Sequence, residues 1–309
     1  MCYSAKLSEA YGKFLRHSGA KISLPEFMRL YGFRQQDRRI RIPRAVDRWF
    51  DAPQSEDERA IHAVIEATDA AEVVRLEREL FAQKTRLNKA VRVMATKPTK
   101  QAAEDQRIAS AKIDTATAKL AALRRAEATA ADRRFFPGWY VPVMIVVDGD
   151  TLVVPMRYGC RPAGKPANYD RRYPGTYNAR RDNLERFWRG QFAQCHGVVL
   201  ADEFFENVAG PDGENRVLRF VPRDRSPLYI ACLWSHWTDP AGVLPDLYSF
   251  AAITDDPEPE VAAAGHDRTI VNLRPELIEA WLRPGGDAAT AQTILDDRQH
   301  PGYEWRQAA

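Results

Sequence analysis

The chain has 309 residues, 28% charged and 45% hydrophobic, with 45 Lys and Arg against 42 Asp and Glu. That composition supports one large core or two smaller ones without covalent staples, and it excludes a disordered, collagen-like or disulfide-built protein. No apolar run approaches the roughly 18 residues of a membrane span, and MCYSAKLSEA at the N-terminus lacks an apolar signal core, so a cytoplasmic protein with no membrane partner is expected.

In chain order, Leu24–Tyr31 reads as a short helix and the Arg-rich residues 34–48 as a strand or extended segment. Residues 55–133 differ from the rest, with one Pro and no Gly. Ser55 followed by Glu58 is a capping box. An apolar stripe then runs Val73, Leu76, Leu80, Leu87, Ala90, Met94. Lys97-Pro98-Thr99 interrupts it, and a second stripe runs Ile113, Ala116, Leu120, Leu123. This predicts an antiparallel coiled-coil hairpin with arms on the order of 50 Å long. The body is then 1–54 plus 134–309, with 55–133 as an insertion.

From Phe135 the pattern turns to strands. Tyr140–Val147 and Thr151–Met156 flank Asp148-Gly149-Asp150, a hairpin signal. Further strands are expected at Gly197–Ala201, Val217–Val221, Leu228–Leu233 and Leu247–Thr254. Asn183–Gln191 and Pro275–Leu282 read as short amphipathic helices, and the tail after Pro284-Gly285-Gly286 as a helix then a loop. The sum is an α+β fold: a mostly antiparallel sheet closed toward a barrel, with flanking helices.

Charge is unevenly spread. Residues 34–48 hold six Arg against two Asp, and residues 157–189 nine Lys or Arg against three acids. Both are interleaved with aromatics, the composition that a polyanion with stackable bases selects. Solvated Arg stems over apolar surface would give the same composition. The four cysteines form no C-x-x-C pair, so no metal site is expected. Cys160, Cys195 and Cys232 sit in or beside apolar runs as buried thiols. Cys2 follows the initiator Met. With Met1 removed it carries a 1,2-aminothiol, which condenses with an aldehyde and closes to a thiazolidine. Its α-amine, with a reference pKa near 8, is partly neutral at pH 7.

Three further polar groups fall in strand or turn contexts: Tyr177-Asn178-Ala179-Arg180, Ala201-Asp202-Glu203-Phe204-Phe205-Glu206, and Gly265-His266-Asp267-Arg268. With Met1-Cys2 and Leu228–Trp234 plus Trp237, and in this order, they resemble the SRAP family (SOS-response-associated peptidase), whose members crosslink to abasic sites in single-stranded DNA. The resemblance covers residues 1–50 and 140–282. It implies Cys2 as the nucleophile, Asn178 holding the amine or the opened sugar, Glu206 as the proton shuttle and His266 as an assisting acid/base. It also implies phosphate or base contacts from Arg180, Arg157, Tyr158 and Arg268, with Arg38, Arg39 and Arg41 tracking the strand. No cofactor is implied, and the expected setting is the bacterial cytoplasm and nucleoid.

The sequence departs from the family at Tyr3-Ser4, where Gly-Arg is usual, which leaves that Arg contact to the 34–48 cluster. It departs again at Tyr158 for Trp, at Asn207 for Trp, and at Thr269-Ile270 for Met-Pro. Two other readings stay open. One is a thiol peptidase, acting on itself, that uses Cys2 with His266 and Glu206. The other is a DNA-binding scaffold that recruits a protein partner, or a second copy, through the 55–133 hairpin.

Overall fold

The structure, a computed structural model, describes residues 2–12, 19–210 and 212–308, the side chains of Cys2 and Tyr3 excepted. Strands β1 (Cys2–Leu7) and β2 (Lys21–Ile22) precede helix α1 (Leu24–Gln36). Two long helices follow, α2 (Glu56–Thr96) and α3 (Lys100–Arg124). The strands then run β3 (Arg134–Phe135), β4 (Tyr140–Val147), β5 (Asp150–Tyr158), β6 (Asn178–Arg180) and β7 (His196–Ala209). After them come β8 (Asn215–Pro222), β9 (Leu228–Trp237), β10 (Leu247–Asp255) and β11 (Thr269–Ile270). Helix α4 (Ala288–Asp296) and strand β12 (Tyr303–Gln307) complete the chain.

The expected hairpin forms. Asp148 and Gly149 take φ of 50° and 86°, and Val147 pairs with Asp150 across them. Two left-handed residues between paired strands make the turn whose twist suits a tight hairpin. From there β5–β4–β7–β9–β10 are paired in succession, and β10 returns to β5 through the parallel pairs Ser249–Arg157 and Phe250–Tyr158. The ring is closed, so these five strands have no free edge along it.

Alternation along each strand divides the core in two. Val143, Val154, Met156, Val199, Cys232 and Phe250 share one cluster. Their neighbours Met144, Val153, Val198, Leu233 and Ala251 share the other, under Trp188, Trp281 and Ile294. At Gly197 a Cβ would lie 2.9 Å from Val143 Cγ1 and 3.0 Å from Cys232 Sγ. Gly197→Ala is therefore expected to destabilise the chain by about 1–3 kcal/mol through overpacking. Thermal unfolding checks this, and an unchanged Tm would mean that β4 and β9 give way freely.

β7 is long enough to serve two sheets. Its first half lies between β4 and β9, and its second half between β1 and β8. β12 pairs with the far edge of β8, with Tyr303 edge-on to Phe204 at 5.2 Å. The tail thus ends in a strand where a loop was expected.

The Arg-rich segment also departs from expectation. α1 continues to Gln36, and residues 44–50 form helical turns rather than a strand. Residues 183–191 are a run of turns. Leu184, Trp188 and Phe192 bury at helical spacing, but the main-chain bonds mix three- and five-residue closures.

In α2 the Ser55 side chain accepts from the Glu58 backbone, and the Glu58 carboxylate accepts from Gln54 N. The capping box is thus shifted by one residue on its return arm. Ile61 and Ile65 of α2 pack into the main core with Phe27, Tyr31 and Phe50. Further along, Leu76 meets Ala116 and Leu120 of α3, flanked by Val73, Leu80 and Leu123. α2, with 41 residues, is roughly 60 Å long and α3, with 25, roughly 37 Å. No helix of the described residues is long and apolar enough to cross a membrane.

Candidate active site at the mouth of the barrel

The second half of β7 places Phe204, Glu206 and Val208 on one face, with Phe204 and Val208 in the interior cluster. Glu206 is fully buried. The ladder registers Cys2 of β1 opposite Glu206. Met1 and the Cys2 thiol, where the sequence places the nucleophile, lie outside the described residues.

Glycine sets the next group. Gly265 has φ of +91°, and a Cβ there would meet Val208 Cγ1 at 3.1 Å. Only a left-handed, side-chain-free residue lets the 265–268 loop lie this close to β7. The loop carries His266 to Glu206, with Nε2 at 3.4 Å from Oε2. His266 Nδ1 lies 2.9 Å from the Arg268 carbonyl. A carbonyl only accepts, so Nδ1 holds a proton and donates. Burial is the main cause that lowers the His266 pKa below the usual value, with nearby positive charge adding to it. The ring is therefore neutral near pH 7, with an acceptor at Nε2. The acceptor nitrogen of the ring is thus turned toward the Glu206 carboxyl.

β6 brings the third group. The parallel pairing sets Asn178 beside Ala252 and Arg180 beside Thr254 of β10. Ala252 is part of the interior, so Asn178 shares the inward face. Its Nδ2 and Oδ1 are both buried with no hydrogen-bond partner among the described residues. Thr254, fully buried, likewise leaves Oγ1 without a partner among them. Buried polar groups are nearly always paired, so two unpaired ones at one mouth mark a place for a ligand. Thr254 was not singled out from the sequence. The one signal was a hydroxyl closing the apolar run Phe250–Ile253.

The expected contacts to nucleic acid are sorted differently by the structure. Arg268 forks onto Asp267 at 3.1 and 2.9 Å and feels the charge of Glu206. In return its hydrogen bonds hold the Asp267 carboxyl at about 2. Arg180 sits at the rim, 2.9 Å from Asp182 and 40% exposed. Arg157 is tied to Asp170 at 2.8 Å and to the Gly159 carbonyl at 3.0 Å.

Tyr158 is a correction. It is buried, stacked on Phe250 at 5.0 Å and edge-on to Tyr177, so its ring offers no face to a base. Arg38, Arg39 and Arg41 are set toward the helical pair or solvent. Arg38 pairs with Glu72 at 2.8 Å, Arg39 with Asp37 at 2.8 Å, and Arg41 lines a cleft beside α2 and α3. A cation from β3 lies beside Ser4. Arg134 Nε donates to Ser4 Oγ at 3.2 Å, and its guanidinium lies 3.8 Å from the Phe205 ring centre.

The remaining thiols are raised in pKa by desolvation, including Cys195, which is half-buried where a buried thiol was expected. Burial pushes Cys160 up to about 12 and Cys232 well above the usual range. His196, beside Cys195, is structural. Its ring stacks on Trp281 at 3.7 Å, both nitrogens are bonded to backbone, and burial lowers it to about 4. No group of three His, Cys, Asp or Glu among the described residues is placed to hold a metal ion.

The profile of the SOS response associated peptidase (SRAP) family matches residues 91–309, and the chain belongs to that family. Among solved structures, a Bacteroides thetaiotaomicron protein is 18% identical with a TM-score of 0.50 and shares the fold. It covers 57% of this chain and 78% of its own. A Bordetella bronchiseptica protein is 22% identical, with a TM-score of 0.48 over 60% of this chain and 90% of its own. A phage-related protein from the same organism is 23% identical, with a TM-score of 0.44 over 60% and 85%. No curated protein matches the chain.

Proposed function

We propose that this protein recognises abasic sites in single-stranded DNA and links to them covalently through Cys2, once Met1 has been removed. The neutral Cys2 amine adds to the C1′ aldehyde of the opened sugar to give a carbinolamine. The hydroxyl leaves as water, forming the imine. The Cys2 sulfur then adds to the same carbon, its proton passing to the nitrogen, and a thiazolidine results. Carbon, nitrogen and sulfur are conserved, and one water is lost.

Two proton movements are needed, one from the attacking amine and one to the departing hydroxyl. Glu206 is the group proposed for both, with His266 holding the spare proton. Asn178 and Thr254 would take the C4′ hydroxyl of the opened sugar and the carbinolamine hydroxyl at C1′, and Arg180 and Arg268 a flanking phosphate. The observation that carries the reading is the pairing of Cys2 across the β1–β7 ladder with Glu206, whose carboxyl lies 3.4 Å from a neutral imidazole. Lyase activity is a side reaction of any imine at C1′, through β-elimination. In this scheme residues 55–133 are an accessory element inserted into the DNA-binding body.

The peptidase alternative draws less support. It would use the same Glu206–His266 pair, with Nδ1 held by the Arg268 carbonyl and only Nε2, already turned to Glu206, left to serve a thiol.

The test is incubation with a single-stranded oligonucleotide carrying one abasic site. A band resistant to heat and SDS is expected, with an intact mass equal to protein plus DNA less one water. No adduct from a protein whose free N-terminal Cys2 is verified by mass would sink the proposal.

A further inference from the structure

Between residues 34–44 and the helical pair lies an open cleft of about 510 Å³. Helices that merely rested on the body would close against it. Here the walls include Ile40, Leu76, Leu123 and Trp139, and cations surround them. Four of the arginines are held by carboxylates: Arg34 by Asp47, Arg44 by Asp69, and Arg38 and Arg75 by Glu72. Arg41 and Lys119 have no hydrogen-bond or ion-pair partner among the described residues, and both are exposed. Two exposed cations lining the same cleft as an aromatic ring suit a phosphate backbone with bases to stack.

Contacts connect this cleft to the barrel mouth. Arg134 reaches Ser4, two residues from Cys2 on β1. The same guanidinium lies 5.0 Å from the Phe136 ring centre, and Phe136 packs on Trp139 at 5.5 Å. Tyr140 N, the next residue, donates to the Arg41 carbonyl at 2.8 Å. One cation and two aromatics thus lead from the β1 strand to the main chain of Arg41 at the cleft.

We infer that the cleft between the body and the helical pair is a second binding segment for single-stranded DNA, taking the strand as it leaves the barrel mouth. The inference rests on the abasic-site reading for the mouth. It assigns the helical pair a role of its own: one wall of a track, with Lys119 and Arg41 lining the same cleft. The footprint is then longer than the mouth alone would give, and undamaged flanking DNA contributes to affinity.

Fluorescence anisotropy with unmodified oligothymidylates of about 8 and about 20 nucleotides tests it, the shorter matching the footprint of one binding fold. Lys119→Glu and Lys119→Ala change an exposed position on α3, in the helical pair and not in the barrel. Each is expected to weaken the longer oligomer roughly tenfold at low salt and to flatten its salt dependence by about 0.7 for each phosphate that is no longer neutralised. Affinity for the shorter oligomer, and adduct formation on a short abasic substrate, should stay as in wild type. Equal losses for both lengths, or none for either, would overturn the track. So would displacement of the longer oligomer by a stoichiometric nucleoside triphosphate, which would make the cleft a small-molecule pocket. If the short abasic substrate gives no adduct while the length effect persists, the covalent reading of the mouth fails and the track stands.

Discussion

Cys2→Ala is expected to abolish the adduct that survives heat and SDS, while Cys2→Ser leaves only a bond that hydrolyses on heating. The α-amine is present in both variants, so an imine with the aldehyde still forms and is trapped by borohydride. What is lost is ring closure by sulfur. Alanine has no second nucleophile. Serine closes to an oxazolidine, whose oxygen is a poorer nucleophile than a thiol and whose ring reopens in water. A variant with one residue retained ahead of Cys2 fails for the complementary reason: the thiol remains but its nitrogen has become an amide. Loss of the stable band in all three, with a borohydride-trapped species in the first two, would establish that both atoms of the aminothiol act. A stable adduct from Cys2→Ala would overturn the mechanism, since it would demand another nucleophile. Cys160 and Cys232 are poor candidates, being fully buried with thiol pKa values pushed up by desolvation.

The barrel was legible where the signal is local. Asp148-Gly149 specifies its turn type, and the apolar runs on either side have nowhere to go but a buried hairpin. The stripe through Leu76, Ala116 and Leu120 likewise announces a helix pair. What sequence periodicity could not resolve depends on distant partners. Tyr303–Gln307 becomes a strand because β8 leaves an edge open to it, and nothing within those five residues says so. Leu184, Trp188 and Phe192 carry a helical spacing, yet they bury from irregular turns, because spacing fixes which side chains point inward and not how the backbone between them bonds. At the candidate site, the motifs name Glu206, His266 and Asn178; the structure sets His266 3.4 Å from Glu206 and Asn178 beside Ala252 of β10. Tyr158 was misjudged because an aromatic beside a basic run reads the same whether it faces solvent or Phe250. Arg134 was missed because its link to Ser4 spans about 130 residues of sequence.

Glu206→Gln is expected to slow adduct formation by roughly 10²–10⁴-fold while leaving affinity for undamaged single strands nearly unchanged. The substitution keeps the shape and the hydrogen-bonding capacity of a fully buried side chain, so it leaves no cavity. The Gln amide donates to His266 Nε2, which satisfies the acceptor that a neutral ring presents with Nδ1 committed to the Arg268 carbonyl. Folding should therefore survive, with a Tm close to wild type. Only the exchange of a proton is removed. The pH profile separates this from a positioning role. In wild type the rate rises with pH as the Cys2 amine loses its proton, a limb governed by a reference value near 8. Glu206→Gln lowers the height of that profile and leaves the limb in place, because the amine still has to be neutral in order to attack. A variant that only misplaced the sugar would instead regain much of its rate at saturating DNA. An unchanged single-turnover rate in Glu206→Gln would remove the carboxyl from the chemistry and leave it as part of the packing beneath Cys2.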